Sequence, residues 1–295
     1  MSEMAEQESP TGKGKVWFIT GCSTGFGRLL AEAALERGDR VVATARDESK
    51  IIDLTDKYPQ TALALTVDVT DKNTILIAVQ DAMETFGQID VLVNNAGYGL
   101  SGAVEEASDE EIEQVIATNV FGVVDTTRAV LPHMRERRSG HILMLSSVAG
   151  LIGTQGLAYY NLTKFAVEGF SEGLAQEVKH LGIRVSIIEP GPFRTDFLGR
   201  SGQVAQQQID DYKESAGKLR EYFNTQAGQQ KGDPAKAVEA MLQLADTPEP
   251  PLHLLLGRNA YDRQLAKLDE WKQGIEAWRE VTLGADFPEA KTPIQ

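Results

Sequence analysis

Residues 15–45 read "KVWFITGCSTGFGRLLAEAALERGDRVVATA". The order of residue types in this stretch decides the fold. "KVWFIT" is bulky and β-branched, as a strand requires. "GRLLAEAALERG" repeats its apolar residues at helical spacing, and "RVVATA" returns to strand character. Strand, turn, amphipathic helix and strand in that order make a βαβ unit, which lays its two strands parallel in one sheet. Gly21, Gly25 and Gly27 fall where the strand gives way to the helix. Glycine there suits a tight turn, close approach of backbone to a phosphate, and close packing of the helix, whose N-terminus points at the anion.

The rhythm continues outward. A helical "ESKIIDLTDKY" leads to the strand "ALALTV", and "TILIAVQDAMETFG" leads to "IDVLV". A long helical region over 109–137 precedes "HILMLS", and a helix over about 157–180 precedes "RVSIIEP". Strands that are apolar on both faces belong in a parallel sheet covered on both sides. We expect an α/β, doubly wound (Rossmann-type) sheet of about seven strands with helices on both faces and ligands beyond the strands' carboxyl ends. After residue 189 the pattern loosens until "GDPAKAVEAMLQLAD", where Asp233 can cap and Pro234 can occupy the first turn. A last strand, "LHLLL", precedes a helical stretch over about 260–281. In that stretch Trp271 and Trp278 share one face, expected to pack in the core or between subunits. The reading is a flexible tail over 1–14 and one domain over 15–295. A substrate lid covers about 196–231, and a C-terminal helical extension about 258–295.

Composition narrows the function. A formal charge of −14 repels nucleic acid and anionic membranes. No apolar run approaches the roughly 20 residues that span a bilayer, and the opening "MSEMAEQESPTGKG" lacks the apolar core of a signal peptide. The one cysteine, Cys22, excludes an internal disulfide and suits a reducing, cytoplasmic location. It reads as a small packing residue. The histidines at 133, 141, 180 and 253 show no close ligand spacing. The acidic run "EEASDEEIE" at 105–113 suits a helix start, so no metal is expected.

Three further segments fall at strand ends: "DVT" at 68–70, "NNAG" at 94–97 and "PGPFRT" at 190–195. Together with the wide spacing of Gly21, Gly25 and Gly27, this ordered set resembles the short-chain dehydrogenase/reductase family, over residues 15–195 and again in the "GDPAKAVEAM" helix. "GFGRLLAEAALERGD" and "PGPFRTDF" look most like its steroid- and retinoid-dehydrogenase-like branch. The resemblance implies a nicotinamide cofactor held by Gly21, Ser23, Thr24, Gly25, Phe26 and Gly27, with Asp68 and Val69 on the adenine side. Asn95, Ala96 and Gly97 would form the floor, and Pro190, Gly191, Phe193 and Thr195 the nicotinamide side. The second strand ends "VVATARD". NAD sites commonly place a carboxylate at this point, whereas a 2′-phosphate needs a cation. Ala45 stands where that acid would be and Arg46 follows, which favours NADP(H). The neighbouring Asp47 is expected to cap the next helix and point elsewhere.

The same resemblance assigns the catalytic set. Ser147 ends the strand "HILMLSS". Thirteen residues on, Tyr160 begins a Y-x-x-x-K helix with Lys164, and Asn119 of "ATNVFG" completes it. In carbonyl reduction Ser147 would hold the oxygen and Tyr160 would deliver the proton. Lys164 would favour the ionised phenol and reach the nicotinamide ribose, and Asn119 would hold a water that links Lys164 to solvent. Tyr159 also precedes the lysine. Residues four apart share a helix face, whereas a separation of five rotates a residue about 140° away, so Tyr160 is the expected donor. A mainly apolar pocket is expected from Tyr98, Leu151, Leu157, Phe193 and Tyr222, the last on an apolar face with Ile209, Tyr212, Leu219 and Phe223. The expected partner is a small-molecule ketone, aldehyde or alcohol. A homodimer or homotetramer paired through helices 109–137 and 157–180 is what the family implies. An NAD-dependent alcohol dehydrogenase on the same scaffold, or a regulator that binds NADP without turnover, stays open at this point.

Overall fold

The computed structural model describes residues 14–195, 202–226 and 228–287. The tail over 1–13, the lid positions 196–201 and 227, and the end of the extension over 288–295 lie outside the described residues. Seven strands form one parallel sheet: β1 (Val16–Ile19), β2 (Arg40–Ala45), β3 (Ala62–Thr66), β4 (Val91–Asn94), β6 (Gly140–Leu145), β7 (Ile183–Pro190) and β9 (His253–Leu256), in the order β3-β2-β1-β4-β6-β7-β9. Two short strands, β5 (Gly99–Ser101) and β8 (Gly202–Val204), pair separately and tie the segment after β7 to the loop after β4.

Successive side chains of a strand point to opposite faces, and this divides the core in two. Trp17, Ile19, Val41, Ala43, Val91 and Val93 face α1 (Gly25–Glu36) and α8 (Pro234–Asp246). Phe18, Val42, Leu92, Ile142 and Met144 face α3 (Lys72–Phe86), α5 (Gly122–Arg137) and α6 (Ala158–Val178). α1 buries Gly27, Leu30, Ala31, Ala34 and Leu35, the single stripe that 3.6 residues per turn produces. Asp233 caps α8 through Ala235 N at 3.0 Å, with Pro234 in its first turn, as its sequence required.

The helical region 109–137 is not one regular helix. α4 (Asp109–Ile116) gives way to a π-helical turn at Ala117–Phe121 before α5 begins. The acidic run starts α4 with a capping box: Glu111 N donates to Ser108 Oγ, and Ser108 N donates to Glu111 Oε2. Glu106 of the same run has another task. Its buried carboxylate accepts from Ala103 N (2.7 Å), Ile209 N (2.9 Å) and Arg220 Nη1 (2.6 Å), so it anchors the segment after β8 to the body. Burial alone would raise this carboxyl; Arg220 and the backbone donors hold it below the usual range.

α9 (Arg258–Ala277) and α10 (Arg279–Leu283) break at Trp278. Trp271 and Trp278 are 64% and 65% exposed, so neither enters the core of the chain, because α9 lies on the surface and buries only Ala260. Phe121, Leu162 and Phe165 are also exposed, on the two helical regions through which the family resemblance implies pairing. Among the described residues no helix is long and apolar enough to cross a membrane.

His141, on β6, is buried with Nε2 3.0 Å from Ser186 Oγ and, among the described residues, no partner at Nδ1. Burial, then Arg184 and Lys15, push its pKa down to about 3. The unfolded chain, with a histidine near 6.5, therefore binds the extra proton between these values, and stability falls as pH falls through that window. The expected slope from this residue is about 1.4 kcal/mol per pH unit. Denaturant unfolding at pH 7, 6 and 5 should show His141→Gln losing less stability per unit than the parent. Parallel curves would refute a neutral buried His141.

Candidate active site

The carboxyl ends of the strands open on a cavity of about 800 Å³. Along its floor, α1 follows the glycine turn with Thr24 extended at its cap, and the Thr24 side chain makes no capping hydrogen bond. α3, α4 and α8, by contrast, start with capping side chains. Gly21 and Gly25 have φ of +73° and +62°, the left-handed region that side chains with a Cβ avoid. Gly27 is not a lining residue. A Cβ there would sit 2.4 Å from both Gly21 O and Asn95 Nδ2, so its part is the close packing of helix on turn. Asn95 locks this arrangement by donating to Thr20 O (2.8 Å) and Gly21 O (3.0 Å), while Thr20 Oγ1 accepts from Asn95 N and Ala96 N, each at 2.9 Å. A helix start that its own cap residue leaves open, no acid in the first turn and a glycine cradle fit the phosphates of a dinucleotide.

Ser23, Thr24, Phe26, Ala45, Arg46, Asp68 and Val69 line this end of the cavity. Arg46 is exposed directly after β2, and Asp47 turns away as expected, accepting from Ser49 N (3.1 Å) and Ser49 Oγ (2.6 Å). Asp68 Oδ1 is engaged by Thr70 N and Oγ1. Cys22 donates to Ile19 O at 3.2 Å, and burial pushes its thiol up to about 12, as befits a packing residue. Ala96, Gly97, Pro190, Gly191 and Thr195 border the cavity, and Phe193 packs edge-on against Phe26 with ring centroids 5.5 Å apart.

Ser147, Tyr160 and Lys164 line the other end. Ser147 Oγ accepts from Ala149 N at 3.1 Å and hydrogen-bonds the Tyr160 hydroxyl. Burial pushes the phenol above its usual value, and the Ser147 bond pulls it down. Lys164 Nζ donates to Leu145 O at 2.6 Å and lies 5.7 Å from the Tyr160 ring centroid. Burial lowers its pKa to about 8, with the Glu168 charge opposing the shift. In the protein alone, then, desolvation outweighs the lowering of the phenol expected from the lysine. Tyr159 points elsewhere and donates to Val104 O at 3.0 Å.

Asn119 does not line the cavity. It is buried within the π-helical turn, where its Nδ2 donates to Tyr98 O (2.8 Å) and Thr163 Oγ1 (3.1 Å) and its Oδ1 accepts from Tyr98 N (3.0 Å). A Cβ on Gly97 would stand 3.0 Å from Asn119 Oδ1 and 3.9 Å from Lys164 Nζ, so glycine keeps open the space between these two groups. π-turns recur at functional sites because they re-aim one side chain without ending the helix. Nothing in the regular period of this region signals it.

Leu151 is a correction. The 3-10 turn at Val148–Gly150 carries it off the cavity, and Val148, Ala149 and Thr154 line the wall instead. The apolar face expected over residues 209–223 is also split. Leu219, Tyr222 and Phe223 line the cavity, Phe223 packing with Leu157 and Tyr160, whereas Ile209 and Tyr212 lie outside and the Tyr212 hydroxyl donates to Glu105. Tyr98 lines the cavity, and its buried hydroxyl has no partner among the described residues. Sequence reading missed Gln114, Thr118, Gln230 and Arg263 as lining residues; no motif marks them. It also missed Asn161, which fixes the loop after Ser147 by donating to Ala149 O (2.7 Å) and accepting from Thr154 N (3.0 Å).

The short chain dehydrogenase family model matches residues 15–205. An oxidoreductase of Botryotinia fuckeliana, BOA17, is 40% identical over 92% of this chain and 99% of its own. The 3-ketodihydrosphingosine reductase of Bacteroides thetaiotaomicron is 37% identical over 82% and 88%. A crystal structure of a short-chain dehydrogenase from Streptomyces avermitilis superposes with a TM-score of 0.87 at 42% identity, covering 93% of this chain and all of the other. Cradle, sheet order and sequence match run together through the carboxyl end of β7, and the chain therefore belongs to the short-chain dehydrogenase family of oxidoreductases.

Proposed function

We propose that this oxidoreductase is NADP(H)-dependent and interconverts a mainly apolar ketone or aldehyde and its alcohol, with Tyr160 as acid and base. One observation carries the reading: a single cavity joins Arg46 and the glycine-rich start of α1 to Ser147, Tyr160 and Lys164. Arg46 follows β2 and Ser147 follows β6, three strand spacings apart in the sheet, or roughly 14 Å. An extended dinucleotide suits that span.

A nicotinamide held in this cavity would supply or accept the hydride. Arg46, Ser23 and Thr24 would hold the adenosine phosphate, and the α1 N-terminus the pyrophosphate. Ser147 Oγ donates to the substrate oxygen as negative charge builds on it, a group aimed before the reaction begins. Tyr160 gives its proton to the same oxygen, or takes it back in the alcohol direction. Lys164 stabilises the phenolate left behind, and the gap kept open by Gly97 beside Asn119 gives a water room to return the proton. Leu157, Leu219, Tyr222 and Phe223 present carbon to the substrate, and the Bacteroides relative is itself named as a reductase of a keto compound.

Steady consumption of NADPH against a panel of apolar ketones and aldehydes tests the reading, with NADH run beside it. Turnover with NADPH at a higher kcat/KM than with NADH is expected. Tight NADPH binding without turnover on any member would favour a regulator instead.

A further inference from the structure

One turn along α6 from Lys164 lies Glu168, which is 5% exposed. Buried carboxylates are rare unless something holds them, yet among the described residues neither oxygen of Glu168 has a hydrogen-bond partner in good geometry, and the Ser146 hydroxyl and the Glu189 carboxyl are what face it. Gly150 makes room for it: a Cβ there would stand 2.9 Å from Glu168 Oε1 and 2.6 Å from Ser146 Oγ. From β7 comes the buried Glu189, and from β9 comes His253, whose Nδ1–H donates to Glu189 Oε1 at 2.6 Å and lies 3.7 Å from Glu168 Oε2. His253 Nε2 is 3.7 Å from Glu172 Oε1 at the surface. Ligand atoms of Glu168, Glu189 and His253 all fall within 4.8 Å of one another. Strand order alone produces this group, since β9 pairs with β7 beside α6.

We propose that Glu168, backed by Glu189 and His253, is the counter-charge that keeps Lys164 protonated, and so a positioning residue whose own charge is set from the surface through His253. The inference rests on the reading that Lys164 acts as an ammonium beside Tyr160. Lys164 is itself buried and donates to a neutral carbonyl, Leu145 O. Burial lowers it and Glu168 opposes that shift. On Glu168, burial raises the pKa to about 7, Ser146 lowers it, Glu189 raises it further, and His253 and Lys164 lower it. Burial raises Glu189 as well, with His253 opposing.

The signs follow. Glu168→Gln removes the buried carboxylate one helical turn from the ammonium, so Lys164 loses its proton at lower pH. His253→Gln removes the donor that favours charge on the acid pair. Glu168 is then neutral at higher pH, and Lys164 moves down too, by less.

The test is a pH titration of the full chain labelled with 15N-lysine, without cofactor, followed by NMR; the Lys164 signal is identified by its loss in Lys164→Met. The Lys164 midpoint should fall by about one pH unit in Glu168→Gln and by a smaller amount in His253→Gln. The alkaline limb of kcat/KM for NADPH-dependent reduction should move down in the same order. Should Glu168→Gln fail to fold, His253→Gln, at a 41% exposed side chain, carries the test. Unshifted midpoints, or activity lowered equally at every pH, would overturn the proposal. A parent enzyme without turnover on any carbonyl would instead sink the catalytic reading, and the titration separates the two failures.

Discussion

Tyr160→Phe should lower kcat/KM for carbonyl reduction by roughly 10²- to 10⁴-fold, the range that a positioned acid or base contributes, while NADPH binding stays within a few-fold of the parent. The variant keeps the ring that packs with Phe223, Leu157 and Ala149 and deletes only the hydroxyl bonded to Ser147. Packing is thus preserved and proton transfer is not. Tyr159→Phe should retain most turnover, because its hydroxyl serves Val104 O. Its removal costs one part-exposed neutral hydrogen bond, about 0.5–1.5 kcal/mol of stability. Steady-state rates and quenching of protein fluorescence by NADPH, measured on both variants, decide between the two rings. Substantial turnover by Tyr160→Phe, or equal losses in the pair, would overturn the assignment of the acid.

Arg46→Ala should weaken NADPH by roughly 10- to 150-fold, the equivalent of about 1.5–3 kcal/mol for a charge-assisted bond, and leave NADH within a few-fold. Ala45→Asp should act in the same direction by placing a carboxylate where a 2′-phosphate would lie and offering it to a ribose hydroxyl instead. The geometry supports both expectations. Ala45 and Arg46 line the cavity, while Asp47 is engaged by Ser49 and does not compete for the guanidinium. The readout is the ratio of kcat/KM for the two cofactors. Equal changes in both would show that Arg46 serves the cavity's general field and reads no phosphate.

What could be read without coordinates was whatever depends on a period within one element. The alternation of the strands placed Phe18 and Trp17 on opposite faces of the sheet, and the 100° step of a helix put Tyr160 and Lys164 on one side with Tyr159 off it. Asp47 and Asp233 were recognisable as caps because a cap acts on N–H groups two residues away. Local rules also misled. A regular helix over 109–137 hides the π-turn that buries Asn119, and a loop of unknown path placed Leu151 in a pocket it does not line. The lid's apolar face dissolved because Ile209 and Tyr212 precede α7 (Lys218–Gln226) and answer to Glu106 and Glu105. The assembly of Glu168, Glu189 and His253 had no signature at all, for these residues are 21 and 64 positions apart in the chain. Short-range sterics and hydrogen bonding determine turns, caps and faces from sequence alone. Which distant side chains meet is decided by strand order and by the path of loops, where the free energy is spread over the whole core and no single stretch of residues records it.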